Sequence, residues 1–369
     1  MKRCMLCVFV ALVFFSGCSA EQPESYQSRL LSTHELVPLD TLTFHSSDSI
    51  FVTRVGQISS WHEYIFISDF YRATVMVFDT MFHYKRTLGR KGRGPGEFQY
   101  FPTLVTAYDT LYLFDDGLLR VTKYDRRLSF ISTSTLPNGF FFRHQAVVLK
   151  DKFVVAMNPA RTITKAKDLV GEEPLMVLDM SFEVVTRFWK WSNTYFANDL
   201  ATATYSIQNA DVLLTTGWDA GVFAMQKASY AITRFTKDLK IQKTFGRQPQ
   251  YRKDPPPISY EQSAYSPEMI SNYAGSTNRF LLLACDTLKR FVLVNYVNLD
   301  SRVFFRRTML AGHHFLPVYD EKYGCVFDGS IPGLLAFVRA GKIYILTHEQ
   351  PEFMRLVVFS LEAKRHARA

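Results

Sequence analysis

The sequence predicts an all-β chain, a six-bladed β-propeller whose ring is closed by an N-terminal strand completing the last blade. Three observations carry this. Residues 64–98 (YIFISDFYRATVMVFDTMFHYKRTLGRKGRGPGEF) read as three short strands and a glycine loop. Looser copies of that unit recur, with inner hairpins beginning near residues 64, 111, 152, 212, 280 and 342, and self-similarity at about 40–50 residues marks a propeller. The sixth copy stops after Arg355–Leu361, while one unassigned strand-like run, Glu35–Phe44, precedes the first copy.

Within the first unit, Ile65 and Ile67 alternate against Phe66 and Ser68, then Val75 and Val77 against Met76 and Phe78. Short runs rich in Val, Ile and Phe between turn residues are strands rather than helices. Both faces are apolar, so both must be covered. His83–Leu88 is more polar and suits an outer edge, where charge discourages pairing with other chains. In Gly89–Phe98, glycine allows positive φ, expected at Gly94 and Gly96. Glu97 is placed to accept bonds from the loop amides and Phe98 to pin the loop to the core. Arg90, Lys91 and Arg93 among these amides also permit an anion site, although the loop lacks the G-x-x-x-x-G-K-[ST] spacing of a Walker loop. The structural turn is the preferred reading.

SDFYRATVMVFD followed by TLGRKGRGPGEFQYFPTLV resembles one unit of an NHL-type propeller, with Asp69, Arg72, Phe78, Asp79, Gly89, Gly94, Gly96, Phe98 and Pro102 on the pattern. The chain is similar to the TolB-like six-bladed β-propeller lipoproteins of Gram-negative bacteria, over about residues 50–130. That resemblance implies a fold and a location, not an activity.

The N-terminus is consistent with it. Met1-Lys2-Arg3 is followed by the apolar run Cys4–Phe15, too short to span a membrane and right for a signal-peptide core. Phe15-Ser16-Gly17-Cys18 resembles a lipobox, with Phe15 in place of the usual Leu; an ordinary secretory leader cut near Ala20 is the alternative. Residues 1–17 are therefore expected to be a lipoprotein signal peptide, 18–30 a tether and 31–369 the propeller. A lipidated Cys18 anchors the chain stably if it carries more than one acyl chain, at ~0.8 kcal/mol per buried methylene. Ser19 resembles an outer-membrane sorting residue, so the expected location is the cell envelope as an outer-membrane lipoprotein, on the periplasmic face or the cell surface.

The chain has 32 Phe and a formal net charge of +9. Aromatics suit strands packed face to face. Behind an export signal the charge points to anionic surfaces rather than nucleic acid, which is not an expected partner. Of five cysteines, Cys4 and Cys7 leave with the leader and Cys18 is the anchor. Cys285 and Cys325 remain, expected as separately buried thiols, with a disulfide as the alternative. Residues 247–276, with Pro255-Pro256-Pro257, form the longest interruption and are read as a lid or rim loop.

No serine-hydrolase elbow, HExxH, Cys-x-x-Cys pair or EF-hand loop occurs, so no catalytic residue, metal or other cofactor is assigned. The innermost strand of each blade lines a central channel. Aligned on the repeat, those strands fall near residues 55–60, 101–107, 142–148, 195–209, 269–275 and 313–319. They bring Arg143, His144, Tyr195, Asn198, Tyr273, His313 and His314 towards one funnel, the expected ligand-binding site. Ordinary hydrogen-bonded histidines are the plain reading of His144, His313 and His314; a shared metal is the alternative. Trp189-Lys190-Trp191 is expected in blade packing, with ring stacking on a ligand as the alternative. The expected function is that of an anchored ligand- or protein-binding module, its partner an unknown protein, peptide or glycan. A propeller-type hydrolase, lactonase or lyase with a channel metal is the alternative; such a site needs several carboxylate or His ligands converging on the axis.

Overall fold

A computed structural model describes residues 27–47, 49–136, 142–157, 173–190, 212–226, 230–251, 278–298, 310, 312–350 and 352–364. Twenty-four strands form six antiparallel sheets of four. Strand β1 (His34–His45) comes first. Blade one is β2 (Val55–Trp61), β3 (Tyr64–Asp69), β4 (Thr74–Asp79) and β5 (Tyr84–Leu88); blade two is β6 (Thr103–Ala107), β7 (Thr110–Asp115), β8 (Arg120–Asp125) and β9 (Phe130–Thr135). Blade three is β10 (Phe142–Leu149), β11 (Lys152–Met157), β12 (Leu175–Asp179) and β13 (Val184–Phe188). Blade four is β14 (Val212–Thr216), β15 (Val222–Gln226), β16 (Ile232–Phe235) and β17 (Ile241–Phe245). Blade five is β18 (Asn278–Asp286), β19 (Phe291–Asn298), β20 (His313–Tyr319) and β21 (Cys325–Ile331). Blade six is β22 (Leu334–Arg339), β23 (Lys342–Glu349) and β24 (Phe353–Ala363), completed by β1. The first strands of successive blades are neighbours around the ring, β2 next to β6 and β22, β10 next to β6 and β14, and β18 next to β14 and β22.

Alternation divides each blade between two interfaces. Ile65, Ile67, Met76 and Phe78 pack towards blade six, whereas Phe66, Val75 and Val77 pack towards blade two. The same division around the ring yields six buried clusters, one between each pair of neighbouring blades.

Ring closure follows the sequence expectation. β1 runs antiparallel to β24, from His34 opposite Ala363 to His45 opposite Phe353, with a register shift between Pro38 and Asp40. Phe44 then reaches blade one, its ring 5.0 Å from that of Phe78 and 6.3 Å from that of Phe82, both edge-on. One strand thus completes the last blade and seals it against the first.

A turn between third and fourth strands repeats in five blades. Its first residue caps the amides that follow it: Asp79 accepts from Met81 and His83, Asp125 from Ser129, Asp179 from Ser181 and Glu183, Thr236 from Asp238 and Lys240, and Asp320 from Lys322 and Gly324. The fourth residue is left-handed and apolar in each case: Phe82 (φ 67°), Leu128 (63°), Phe182 (70°), Leu239 (60°) and Tyr323 (65°). That conformation costs an L-residue about 1–2 kcal/mol. Burying a large apolar side chain returns about 1.5–3 kcal/mol, so burial wins where the side chain is enclosed, as at Phe82, Leu128 and Phe182. At Asp79 burial raises the carboxyl pKa, but the Lys85 ammonium and the His83 and Met81 amides outweigh it and hold the group at about 2.

The glycine loop is tied inward. The Gly94 amide donates to Glu97 Oε2 at 2.7 Å and Arg90 Nε to Oε1 at 2.7 Å. Those bonds, the Gly94 amide first, hold the Glu97 carboxyl below its usual range. The protein's own carboxylate therefore fills the place in which an anion site was weighed. Phe98 is fully buried against blades one and two, and Arg120 clamps the loop by donating to the carbonyls of Arg93 (2.9 Å) and Glu97 (2.6 Å). Positive φ occurs at Gly89 (73°) and Gly96 (72°), not at Gly94, which corrects the sequence expectation. The cause is the small hairpin Arg90–Phe98, which turns left-handed at its base and after Pro95.

The inner-strand alignment holds for blades one to three and fails beyond them. The inner strands of blades four, five and six are β14, β18 and β22, not 195–209, 269–275 and 313–319. Residues 212 and 280 belong to inner strands rather than to the second strands on which 64, 111, 152 and 342 fall. β14 and β15 are equally apolar, so pattern alone cannot rank them along a blade.

Two outcomes test this fold. Phe44→Ala is expected to lower stability by about 3–5 kcal/mol, measured by urea unfolding; a loss below about 1 kcal/mol contradicts closure through β1. A Cβ on Gly89 would lie 2.2 Å from the Phe98 ring at a left-handed φ, whereas one on Gly94 would meet only the flexible end of Glu97. Gly89→Ala is expected to cost about 1–3 kcal/mol and Gly94→Ala within about 0.5 kcal/mol, from thermal melts of the two variants.

Candidate functional site

The six inner strands leave a channel along the ring axis, with a cavity of about 470 Å³. Gln57–Ser60 of β2, Leu104–Thr106 of β6, Ala146–Val148 of β10, Leu214–Thr216 of β14, Leu282–Cys285 of β18 and Ala336–Val338 of β22 form its wall. Each contributes a strand edge, so backbone amides and carbonyls as well as side chains face the axis. The hydroxyls come from Ser59, Ser60, Thr106, Thr215, Thr216 and Thr287. Among the described residues lining this wall, the ionisable side chain is that of Cys285. Burial, reinforced by the Asp286 charge, pushes its pKa up to about 12, so it is neutral near pH 7.

Gln57 shows how such a wall is read by hydrogen bonding. Its carboxamide oxygen accepts from the Leu104 amide at 2.9 Å and its Nε2 donates to the Leu104 carbonyl at 3.3 Å. One neutral group with an adjacent donor and acceptor satisfies both backbone groups of one residue on the next blade. Further links cross the blades at one end of the channel: Trp61 Nε1 donates to the Tyr108 carbonyl at 3.1 Å, and the Tyr108 hydroxyl to the Lys150 carbonyl at 2.9 Å.

The residues assigned to the funnel from sequence are not gathered together. Arg143 and His144 lie on β10, an inner strand, as expected. His313 and His314 lie on β20, the third strand of blade five, and not beside the axis. His314 is buried there, opposite Val297 and Ile331. The repeat was aligned one strand out in blade five, which is why the pair was placed at the axis. Tyr195, Asn198, Tyr273 and Cys18 lie outside the described residues, as do residues 1–26, most of 247–276, and Trp191. Trp189 packs edge-on against Phe235, 5.7 Å between centroids, in the cluster between blades three and four. Among the described residues no group of three or more His, Cys, Asp or Glu side chains is placed to hold a metal.

Cys285 and Cys325 are both free. Cys285 pairs with Val292, Val292 with Tyr319 and Tyr319 with Cys325, so the two thiols stand at opposite edges of one sheet. Three strand spacings are about 14 Å, far beyond the reach of a disulfide.

Glu349 and Asp328 are carboxylates off the channel whose pKa burial raises. Glu349, at the end of β23, accepts from the Val55 amide where blade six meets blade one, and burial raises its pKa. Asp328, its side chain 1% exposed, sits 3.8 Å from Arg247 Nε; burial raises its pKa and Arg247 opposes the rise. On the opposite end of the ring from the 61–64 turn, Arg54 lies 4.7 Å over the Phe70 ring, and Phe70 is 4.8 Å from Phe101.

Comparison with solved structures finds the same fold. A DUF4221 family member from Bacteroides vulgatus aligns at a TM-score of 0.65 with 11% identity, over 90% of this chain and 99% of that one. A Bacteroides fragilis protein, named as a candidate exported protein, aligns at 0.61 with 14% identity, over 92% and 99%. Streptogramin B lyase aligns at 0.47 with 10% identity, over 88% of each chain, a likeness too low to bear on activity. No functionally curated protein matches the sequence. The family model described as a 6-bladed beta-propeller, DUF5128, matches residues 21–235. That span is more than half the chain and takes in blades one to three and most of blade four, so the chain belongs to the DUF5128 family.

Proposed function

We propose that this protein is a binding module of the cell envelope, related to the TolB-like and NHL-like propeller lipoproteins, held to the membrane through Cys18 and taking a small neutral polar ligand in its axial channel. The observation that carries the ligand reading is the channel wall: about 470 Å³, lined by Ser and Thr hydroxyls and strand edges, with a neutral thiol as its ionisable group. Ligand cavities commonly span about 300–1,000 Å³. None of the described side chains lining the cavity carries a charge to offset the hydration a charged ligand would lose. A neutral polyol or saccharide brings adjacent donors and acceptors, the pattern with which Gln57 already satisfies Leu104.

The anchor reading rests on Phe15-Ser16-Gly17-Cys18 after a short apolar run. The likeness to a B. fragilis protein named as a candidate exported protein supports the same location. A channel-metal hydrolase or lyase gains no support from the described wall, which offers one thiol and no carboxylate or imidazole.

Two experiments test the reading. In the first, Cys18→Ala is expected to move the protein from the membrane to the soluble fraction; a variant that stays with membranes, alongside a wild type without lipid by mass spectrometry, removes the anchor. In the second, saturation-transfer NMR with maltose and cellobiose is expected to show contact with the wild type and none with Thr215→Arg at equal melting temperature. Equal signals from the two proteins place binding outside the channel.

A further inference from the structure

Each blade ends in an outer strand whose far edge meets no further strand. Four of the six carry exposed charge, and a fifth, β21, is met at Cys325 by residues 29–31. β5 has Lys85 and Arg86, β13 has Arg187 and β17 has Lys243. β1 has Glu35, Pro38, Asp40 and a shift of register. Charge, proline and bulges are the usual means by which an open edge is kept from accepting a strand. β9 reads FISTST and has neither charge nor proline. Its inner edge is bonded to β8, from Thr135 opposite Arg120 to Phe130 opposite Tyr124, with a shift of register beside Tyr124. No described strand pairs with its other edge. Phe130 and Ile131 are 50% and 51% exposed, at the bulge where Tyr124 faces Phe130 and Lys123 faces Ser132.

We propose that the outer edge of β9 accepts an extended segment of a partner protein as a fifth strand, and that this segment is acidic at its C-terminal end. Main-chain bonds to the edge supply affinity, and apolar side chains laid against Phe130 and Ile131 select the segment. The acidic end follows from charge. Arg126 and Arg127 lead directly into β9 and are exposed, Arg126 meeting only Glu63 at 3.7 Å. A strand added antiparallel brings its C-terminal end to these two guanidinium groups. A second copy of this chain is the weaker occupant. Six residues of edge bury far less than the ~1,200 Å² of a stable interface, and pairing would bring together two chains of net charge +9.

The test is fluorescence anisotropy on the full chain with a labelled peptide of alternating Thr and Val ending in Asp-Asp, against the same peptide ending in Lys-Lys. The acidic peptide is expected to bind at least tenfold more tightly than the basic one. Ile131→Lys, and separately Ser134→Lys, are expected to weaken it at least tenfold with the melting temperature unchanged. No saturable binding, equal binding of the two peptides, or undiminished binding by both variants overturns the proposal. So does a concentration-dependent dimer in light scattering that Ile131→Lys dissolves, because the edge then serves self-association.

Discussion

A sheet with two apolar faces cannot stand alone in water, and every blade of this chain is such a sheet. Ile65 and Ile67 need blade six as much as Phe66 needs blade two. The hydrophobic core is therefore distributed over six interfaces instead of one centre. An arc of five or six blades still leaves two apolar faces open at its ends, and only closing the circle covers both. Closure falls to β1, whose ladder with β24 and whose Phe44 contact with Phe78 and Phe82 join the beginning of the described chain to its end. The channel is a by-product of the same constraint. Six sheets packed face to face around an axis leave their inner edges with nothing to pair with.

Much of this was legible in the sequence where turns are spelled out in residues with special backbone behaviour. Blade one announced itself through Asp69, Asp79 and the Gly89–Phe98 loop, and the missing outer strand of blade six pointed to Glu35–Phe44. Register in blades four and five was not legible from strand pattern, because alternation gives a strand two faces without giving it a rank within the blade. A better marker was present: the turn of Asp79–Phe82, Asp125–Leu128, Asp179–Phe182, Thr236–Leu239 and Asp320–Tyr323 always joins third to fourth strands. Aligning on it would have placed His313 and His314 before such a turn, on a third strand. Its apolar fourth residue hides it, since left-handed positions are commonly sought as Gly or Asn. Gly94 shows the converse. Glycine there sits beside the Glu97 carboxylate at ordinary φ, and no rule of turn chemistry separates it from Gly96.

The candidate site was less legible than the fold, for a chemical reason. Histidine and arginine mark themselves in a sequence by what they can do, whereas Ser59, Ser60, Thr106 and Thr215 look like any other hydroxyls of a β-rich chain. What distinguishes them is convergence on one axis from three strands lying far apart in sequence. Charged residues accumulate on outer strands such as β5 and β17, and the described side chains that line the cavity are uncharged.

The ladder between β1 and β24 also sets an order in time. During synthesis β1 emerges long before its partner and waits through the making of the five blades between them. Blades one to five can stack as they appear, because each finds its neighbour nearby in sequence, but the ring stays unsealed until β24 arrives. Contacts of such long sequence separation form slowly and leave sheet edges open meanwhile. A chain cut short before Phe353 has every blade it has made and still no ring, and it would present its unfinished ends to whatever degrades or rescues incomplete proteins.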